Sequence, residues 1–147
     1  MDLTTYLSVS ELLGRYPHAV DAGSPDDVAA LFGDDGTLVV HGGRRYEGRA
    51  PIVTFLEASR ASRAAAGSAL RHHISSIDVA VQTDVSATAQ SYFLAVGRNG
   101  PDHWGTYRDR LACVDGAWFF EERQVTIEGA DPEGWIGSGA APVSLES

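Results

Sequence analysis

Two adjacent histidines, His72 and His73, stand near the start of the apolar run ALRHHISSIDVAV at residues 69–81. Imidazole exchanges a proton near neutral pH, so a histidine that faces a pocket is suited to general acid–base catalysis. Successive side chains of a β-strand point to opposite faces of the sheet, so the two rings cannot share one site. Neighbouring strand residues also cannot chelate one ion, and no HxH or HExxH spacing occurs in the chain. We therefore expect acid–base chemistry without a metal or another cofactor.

The alternation of side chains indicates which histidine faces inward. Leu70, His72 and Ile74 form the more apolar of the two faces at the start of this run. We therefore predict that His72 points toward the interior and His73 to the other face. After Ile77 the apolar pattern moves to the other parity, which favours a β-bulge there.

An inward His72 needs a polar partner, because burying an unpaired imidazole is unfavourable. His18 and Asp21 lie three residues apart on the first predicted helix and are the candidates. The Asp21 carboxylate would hold one tautomer of His72 and leave its other nitrogen free to transfer a proton. The alternative is a structural pair in which the aspartate and the histidine only satisfy each other beneath the sheet.

Periodicity and turn signals predict the elements that position these residues. Helical spacing of apolar residues predicts a helix over Leu3–Val20, which Pro17 should kink or loosen. Ser24 and Pro25 are typical of the start of a second helix. The remaining predictions are a hairpin at 37–41 and 44–47, a helix between 49 and 67, and four strands at 70–81, 87–97, 103–114 and 117–127.

Helices followed by a meander predict an α+β fold, in which helices cover one face of a bent antiparallel sheet. The chain of 147 residues has room for one ordinary domain. We place this domain at residues 1–130. Residues 131–147 are rich in Gly, Pro, Ala and Ser, and we expect a flexible tail there, held at most around Trp135 and Ile136.

Charge and composition exclude several classes of partner. The net charge is −9, and the eleven basic residues, all arginine, are scattered along the chain. We therefore expect neither a nucleic acid nor a membrane as partner, since both need clustered cations. The single cysteine, Cys113, fits a reducing compartment, and the N-terminus has no signal-peptide pattern. The expected location is the cytoplasm.

Four stretches resemble one family: AVDAGSPDDVAALFGDDGTLVV, YEGRAPIVTFL, LRHHISSIDV and GTYRDRLACVDGAWFFEER. In this order they are similar to the SnoaL-like branch of the cone-shaped nuclear-transport-factor-two-like superfamily, which includes polyketide cyclases, scytalone dehydratase, limonene epoxide hydrolase and ketosteroid isomerase. The resemblance covers about residues 6–127 and implies a cone-shaped sheet whose concave face is covered by the N-terminal helices. It says less about the reaction.

The resemblance implies two sets of catalytic residues. Matching scytalone dehydratase, Asp21 ends the first helix and His72 begins the third strand. The second pocket histidine of that enzyme has no counterpart on the next predicted strand, where Tyr92 stands, and this argues against dehydration. SnoaL-like cyclases that form an oxygen heterocycle by opening an epoxide use pocket tyrosines and a histidine, which Tyr46, Tyr92 and His103 would match.

Each of these three residues also has a structural interpretation. Tyr46 would then lie at the rim of an edge strand, Tyr92 would be an ordinary strand former, and His103 would be a solvated turn residue. Other residues are expected to contact a substrate as the wall of the cavity: Tyr16, His18, Phe55, Trp104 and Trp118.

Two functions of different class follow. The first is an enzyme, without cofactor, that acts on a small, apolar, oxygenated molecule of specialised metabolism, as a cyclase or alternatively as a dehydratase or isomerase. The second is a non-catalytic ligand-binding or assembly module. An empty cavity beside Asp21 and His72 would favour the enzyme. In both cases we expect a homodimer through the exposed sheet face, because aromatic residues occur at both parities of the meander.

Overall fold

The computed structural model describes residues 2–143 and 145. Over these residues the chain forms three helices and six strands, so the prediction of an α+β fold is confirmed. The helices are α1 (Leu3–Ala22), α2 (Pro25–Ala29) and α3 (Arg49–Ala65), and the strands are β1 (Phe32–Val40), β2 (Arg44–Glu47), β3 (Arg71–Thr83), β4 (Ser86–Gly97), β5 (Gly100–Val114) and β6 (Ala117–Ala130).

The six strands form one sheet in the order β2-β1-β6-β5-β4-β3. Strands β3 to β6 are an antiparallel meander, as predicted. The β1–β2 hairpin joins this meander through β1, which runs parallel to β6, so the whole sheet is mixed. The β5–β6 turn places Asp115 and Gly116 at positive φ, 50° and 81°, the conformation that an Asp-Gly hairpin favours.

Side-chain hydrogen bonds cap the N-termini of the first two helices. The Asp2 carboxylate accepts from the Thr4 amide at the start of α1. At the start of α2, Ser24 and Asp27 form the reciprocal hydrogen bonds of a capping box. Pro17 lies inside α1, which continues to Ala22. Helix α1 packs against β3 and β6, and α3 packs against β1 and β2, so the helices cover one face of the sheet.

Two β-bulges orient residues of the interior. In β3 the register shifts between Ser75 and Asp78, and Ser76 has a φ of 52°, so the bulge expected near Ile77 is present. The second bulge lies in β5: Ala95 of β4 pairs with His103 of β5, but the next residue of β4, Val96, pairs with Pro101. The residue left over in the second bulge is Asp102, and both it and His103 are buried.

No helix in the part of the chain that the structure describes is long and apolar enough to cross a bilayer.

Candidate active site

A cavity lies between the helices and the sheet, with an empty volume of about 860 Å³ including its open mouth. Most of its wall is aliphatic or aromatic, and a few polar groups converge on it. Such a wall is typical of sites for small organic ligands. The lining side chains that matter for the chemistry are Tyr16, Phe55, Arg63, His72, Phe93, His103, Tyr107, Trp135 and Ile136.

The first polar group of the cavity is the predicted pair of Asp21 and His72. His72 Nδ1 lies 2.6 Å from Asp21 Oδ1, and the backbone N–H of His72 donates to Asp21 Oδ2 over 2.8 Å. Both side chains are largely buried, with exposed fractions of 16% and 10%. The carboxylate therefore fixes both the position and the tautomer of the ring, with the proton on Nδ1 and Nε2 left available.

A second aspartate–histidine pair lies beside the first. His103 Nδ1 is 2.8 Å from Asp102 Oδ1, and Asp102 Oδ2 accepts from the backbone N–H of Trp135 over 2.7 Å. Asp102 and His103 are 7% and 5% exposed. The Asp102 carboxylate therefore orients His103 and also attaches the segment after β6, whose Trp135 closes one side of the cavity.

The two imidazoles lie next to each other in the wall of the cavity. Their ring centroids are 5.7 Å apart in an edge-to-face arrangement, and Phe93 contacts both rings at 6.4 and 5.8 Å. Among the residues described, none forms a hydrogen bond with Nε2 of His72 or His103. A small molecule in the cavity can therefore meet two proton-transfer groups, each held by its own carboxylate.

The electrostatics of the two rings differ. Burial lowers the pKa of His103 from its ordinary value of 6.5. The hydrogen bond that the ring donates to Asp102 opposes this shift, and the charges of His72 and Arg63 add to it. His103 is therefore a neutral ring at neutral pH, suited to accept a proton. His72 differs in its contact with solvent and charge: its Nδ1 lies 2.6 Å from the Asp21 carboxylate, which can compensate positive charge that develops on the ring during a proton transfer.

The folding stability should depend on pH through His103. Its folded pKa lies below 6.5, so the unfolded chain binds this proton more readily. Above about pH 6.5 the ring is neutral in both states, and as the pH falls through this value the free energy of unfolding decreases. Urea unfolding between about pH 7.5 and 5 should show a decline that is smaller in His103→Gln. An equal decline in both proteins would contradict this assignment.

Behind the cavity wall lies a buried ion pair that links β5 and β6. Arg123 donates to both carboxylate oxygens of Asp109 over 2.8 Å, and neither side chain is exposed. The guanidinium carbon lies 4.1 to 4.3 Å from the ring centroids of Tyr16, Tyr107 and Phe120. Burial raises the pKa of both tyrosines despite the nearby charge of Arg123. The positive charge of Arg123 therefore does not make either tyrosine ionise near neutral pH.

Five residues expected in the cavity do not line it, and for them the prediction is wrong; three of the five are exposed to solvent. Tyr92 and Trp104 are 58% and 40% exposed because strand alternation turns them outward, next to the inward Phe93 and His103. His18 is exposed on α1 and does not reach His72.

The other predicted residues are divided between the cavity and its surroundings. Tyr16 and Phe55 line the cavity. Tyr46 does not line it, but stacks on Phe55 with ring centroids 4.5 Å apart. Trp118 is half-buried and packs against the core away from the cavity. Tyr46 and Trp118 can therefore act on a ligand only through the residues that they support.

Sequence analysis missed several polar residues of the cavity. Asp102 precedes His103 in the sequence, and strand alternation would turn it outward if the bulge were absent. Tyr107 shares the inward parity of His103, which could have indicated its place. His41 follows the last residue of β1, and its Nδ1 accepts a hydrogen bond from the Ile127 amide of β6. Within the described chain, no three His, Cys, Asp or Glu residues are grouped to hold a metal ion.

Solved structures confirm the fold but share little sequence. A Nostoc punctiforme PCC 73102 protein of unknown function with a cystatin-like fold has a TM-score of 0.77 at 21% identity, over 90% of this chain and 97% of its own. A candidate scytalone dehydratase from Novosphingobium aromaticivorans DSM 12444 has a TM-score of 0.74 at 24% sequence identity, over 88% of this chain and 87% of its own. The beta subunit of a candidate aromatic-ring-hydroxylating dioxygenase from the same organism has a TM-score of 0.74 at 16% sequence identity, over 94% of this chain and 95% of its own.

No curated protein sequence matches the chain significantly. The SnoaL-like domain family, in contrast, matches residues 1–124. This range includes all three helices, strands β1 to β5 and both aspartate–histidine pairs. The segment that carries Trp135 lies beyond it. Because the match spans most of the chain and its candidate site, the chain belongs to the SnoaL-like domain family.

Proposed function

We propose that the protein is an acid–base enzyme that acts on a small, largely apolar, oxygenated molecule and needs no cofactor. The observation that supports this proposal is the meeting of two imidazoles, each held by an aspartate, 5.7 Å apart in one apolar cavity. One ring suited to accept a proton and one suited to donate it form a complete set for general acid–base catalysis.

The proposed reaction is the closure of an oxygen heterocycle by the opening of an epoxide. His103 Nε2 accepts the proton of the substrate hydroxyl group while the hydroxyl oxygen attacks an epoxide carbon. A new C–O bond forms and one epoxide C–O bond breaks. The proton of the His72 imidazolium passes to the epoxide oxygen, and product release with proton exchange restores both rings. The cavity holds the chain of the substrate folded, which favours closure.

Dehydration is the second candidate, and a specific observation favours it. The argument against it was the lack of a second pocket histidine on the strand after β3. His103 lies on β5 instead, within 5.7 Å of His72, and supplies such a histidine. The same two rings could remove a proton from carbon and protonate a leaving hydroxyl group.

An assembly module remains the alternative of another class, and one of the fold relatives is named as the beta subunit of a larger enzyme. A module that only presents its surface has no need for open space in front of buried proton-transfer groups. The cavity beside Asp21 and His72 therefore favours an enzyme.

The test uses histidine variants and two kinds of probe. Wild type is incubated with hydroxy-epoxides, whose ring closure is followed by chiral chromatography, and with aryl β-hydroxy ketones, whose dehydration is followed by ultraviolet absorbance. We expect His72→Ala and His103→Ala to lower kcat by about 10²-fold or more. His73→Ala is the matched control, because His73 is exposed on the opposite face. Equal turnover by all three variants would overturn the proposal.

We also propose a homodimer through the outer face of the sheet. Tyr92, Leu94 and Trp104 are exposed there, and Leu94 and Trp104 are paired neighbours on β4 and β5. A second copy would cover this apolar patch. Sedimentation at micromolar concentration should give a dimer, and Leu94→Glu should shift it toward a monomer. A monomeric wild type would contradict the proposal.

A further inference from the structure

The guanidinium of Arg63 lies at the cavity with most of its hydrogen-bonding capacity unused. Arg63 is half-buried on α3 and lines the cavity together with Trp135. Its Nη2 donates to the Val20 carbonyl over 3.2 Å, and its guanidinium carbon lies 5.8 Å from the Trp135 ring centroid. Among the described residues no carboxylate lies within ion-pair distance of it. An arginine has five N–H donors, so several remain available.

The Asp21 carboxylate does not accept from these donors. Asp21 is close enough for its charge to act on Arg63, but its two oxygens already accept from the ring and the amide of His72. Burial lowers the pKa of Arg63, and the Asp21 charge opposes this only in part. The cavity thus holds a partly dehydrated cation that the folded chain does not neutralise.

The charges and the apolar wall of the cavity favour a carboxylate over a phosphate as the anion that Arg63 binds. A planar guanidinium matches a carboxylate with two parallel hydrogen bonds. A phosphate dianion would bring a second negative charge toward the Asp21 and Asp102 carboxylates, in a chain whose net charge is −9. Arg60 also lines the cavity but is exposed to solvent, whereas Arg63 is half-buried. A monoanion on an apolar body fits the half-buried cation and the aliphatic and aromatic wall.

We infer that the substrate is an apolar carboxylic acid, whose carboxylate is bound by Arg63 and whose body lies against Trp135 and the apolar wall. This inference rests on the proposed function, because it concerns the substrate of the same cavity. Arg63 is here a binding residue that fixes one end of the substrate. The other end then lies against the edges of His72 and His103 that face the cavity, where the proton transfers take place.

The test compares two probes that differ in charge and hardly in shape, naphthalene-2-acetate and naphthalene-2-acetamide. Isothermal titration calorimetry of the wild type should give a Kd for the acid roughly 10- to 100-fold below that for the amide. In Arg63→Met this preference should disappear while the Kd of the amide stays unchanged. Arg63→Lys keeps the charge and should retain part of the preference. Arg98→Met, an exposed site with the same loss of charge, should retain all of it.

Several outcomes would overturn the inference: equal binding of the two probes by wild type, binding of neither, or a preference that persists in Arg63→Met. Thermal melting of each variant shows that it is folded before titration. The assay needs no turnover, and His72→Ala should keep the preference. Turnover without a preference for the acid would overturn this inference alone. A preference without turnover of any probe would overturn the proposed reaction and leave an acid-binding pocket.

Discussion

In the Asp21→Asn variant we expect kcat to fall by about 10²- to 10⁴-fold, with a much smaller change in KM. The Asp21 carboxylate accepts two hydrogen bonds from the same residue, at 2.6 Å from the His72 ring and 2.8 Å from its amide. An asparagine side chain has only one acceptor oxygen. If this oxygen stays on the amide, the NH₂ group faces Nδ1 and forces the proton onto Nε2. If it faces Nδ1, the NH₂ group meets the backbone N–H.

In either arrangement His72 loses the charge that would stabilise its imidazolium. Steady-state kinetics measure the fall in kcat, and nitrogen-15 NMR of the ring reports the tautomer. Asp26→Asn is the matched control, since Asp26 is exposed on α2, and its kcat should equal that of wild type. If Asp21→Asn kept full kcat with an altered tautomer, the pair would be structural, as in the alternative interpretation of the sequence.

Periodicity alone narrowed the partner of His72 to two residues. Strand alternation places His72 inward, and the helical repeat leaves His18 and Asp21 as candidates. The family resemblance then selects Asp21, which the structure places in contact with His72. The same alternation gave no information about Asp102, because a bulge in β5 removes the parity on which such a prediction depends. Tyr92 and Trp104 were misplaced because aromatic side chains occur on both faces of the meander, so residue type alone does not identify the inner face.

The segment after β6 shows a different limit. Its composition predicts a loose tail, held at most around Trp135 and Ile136, and these two residues are 7% and 4% exposed. The Asp102 carboxylate binds the Trp135 amide, and the Trp135 indole donates to Ser62 Oγ over 2.9 Å. Individual long-range contacts of this kind leave no periodic signal in the sequence. Whether the domain ends at residue 130 stays a prediction.

The Arg123–Asp109 pair also escaped sequence analysis, because charged residues on neighbouring strands ordinarily form exposed cross-strand pairs. Here both side chains point inward, beneath Tyr16 and Tyr107 of the cavity wall. Burial alone would lower the pKa of Arg123, but the charge and hydrogen bonds of Asp109 outweigh it and the pKa is raised. Arg123 therefore stays charged in the core and depends on one carboxylate for compensation.

Replacing Asp109 with asparagine should consequently destabilise the fold by about 3–5 kcal/mol. The guanidinium would remain buried without a counter-ion, and its Nη1 already has no hydrogen-bond partner among the described residues. The measurement is the free energy of unfolding from urea denaturation, with the slope checked for a two-state transition. The double variant Asp109→Leu/Arg123→Met removes both charges, and it should recover much of the loss because apolar replacements of buried pairs are often neutral.

Glu121→Gln supplies the matched control on the same two strands. Glu121 pairs with Arg110 across β5 and β6 at 3.3 Å, but these side chains are 58% and 54% exposed. An exposed pair contributes at most about 1 kcal/mol, so this variant should unfold almost like wild type. A loss in Asp109→Asn no larger than that in Glu121→Gln would mean that water reaches Arg123 and that the wall behind Tyr16 and Tyr107 is not dry. The pKa values of Tyr16 and Tyr107 would then be raised less, since it is burial that raises them.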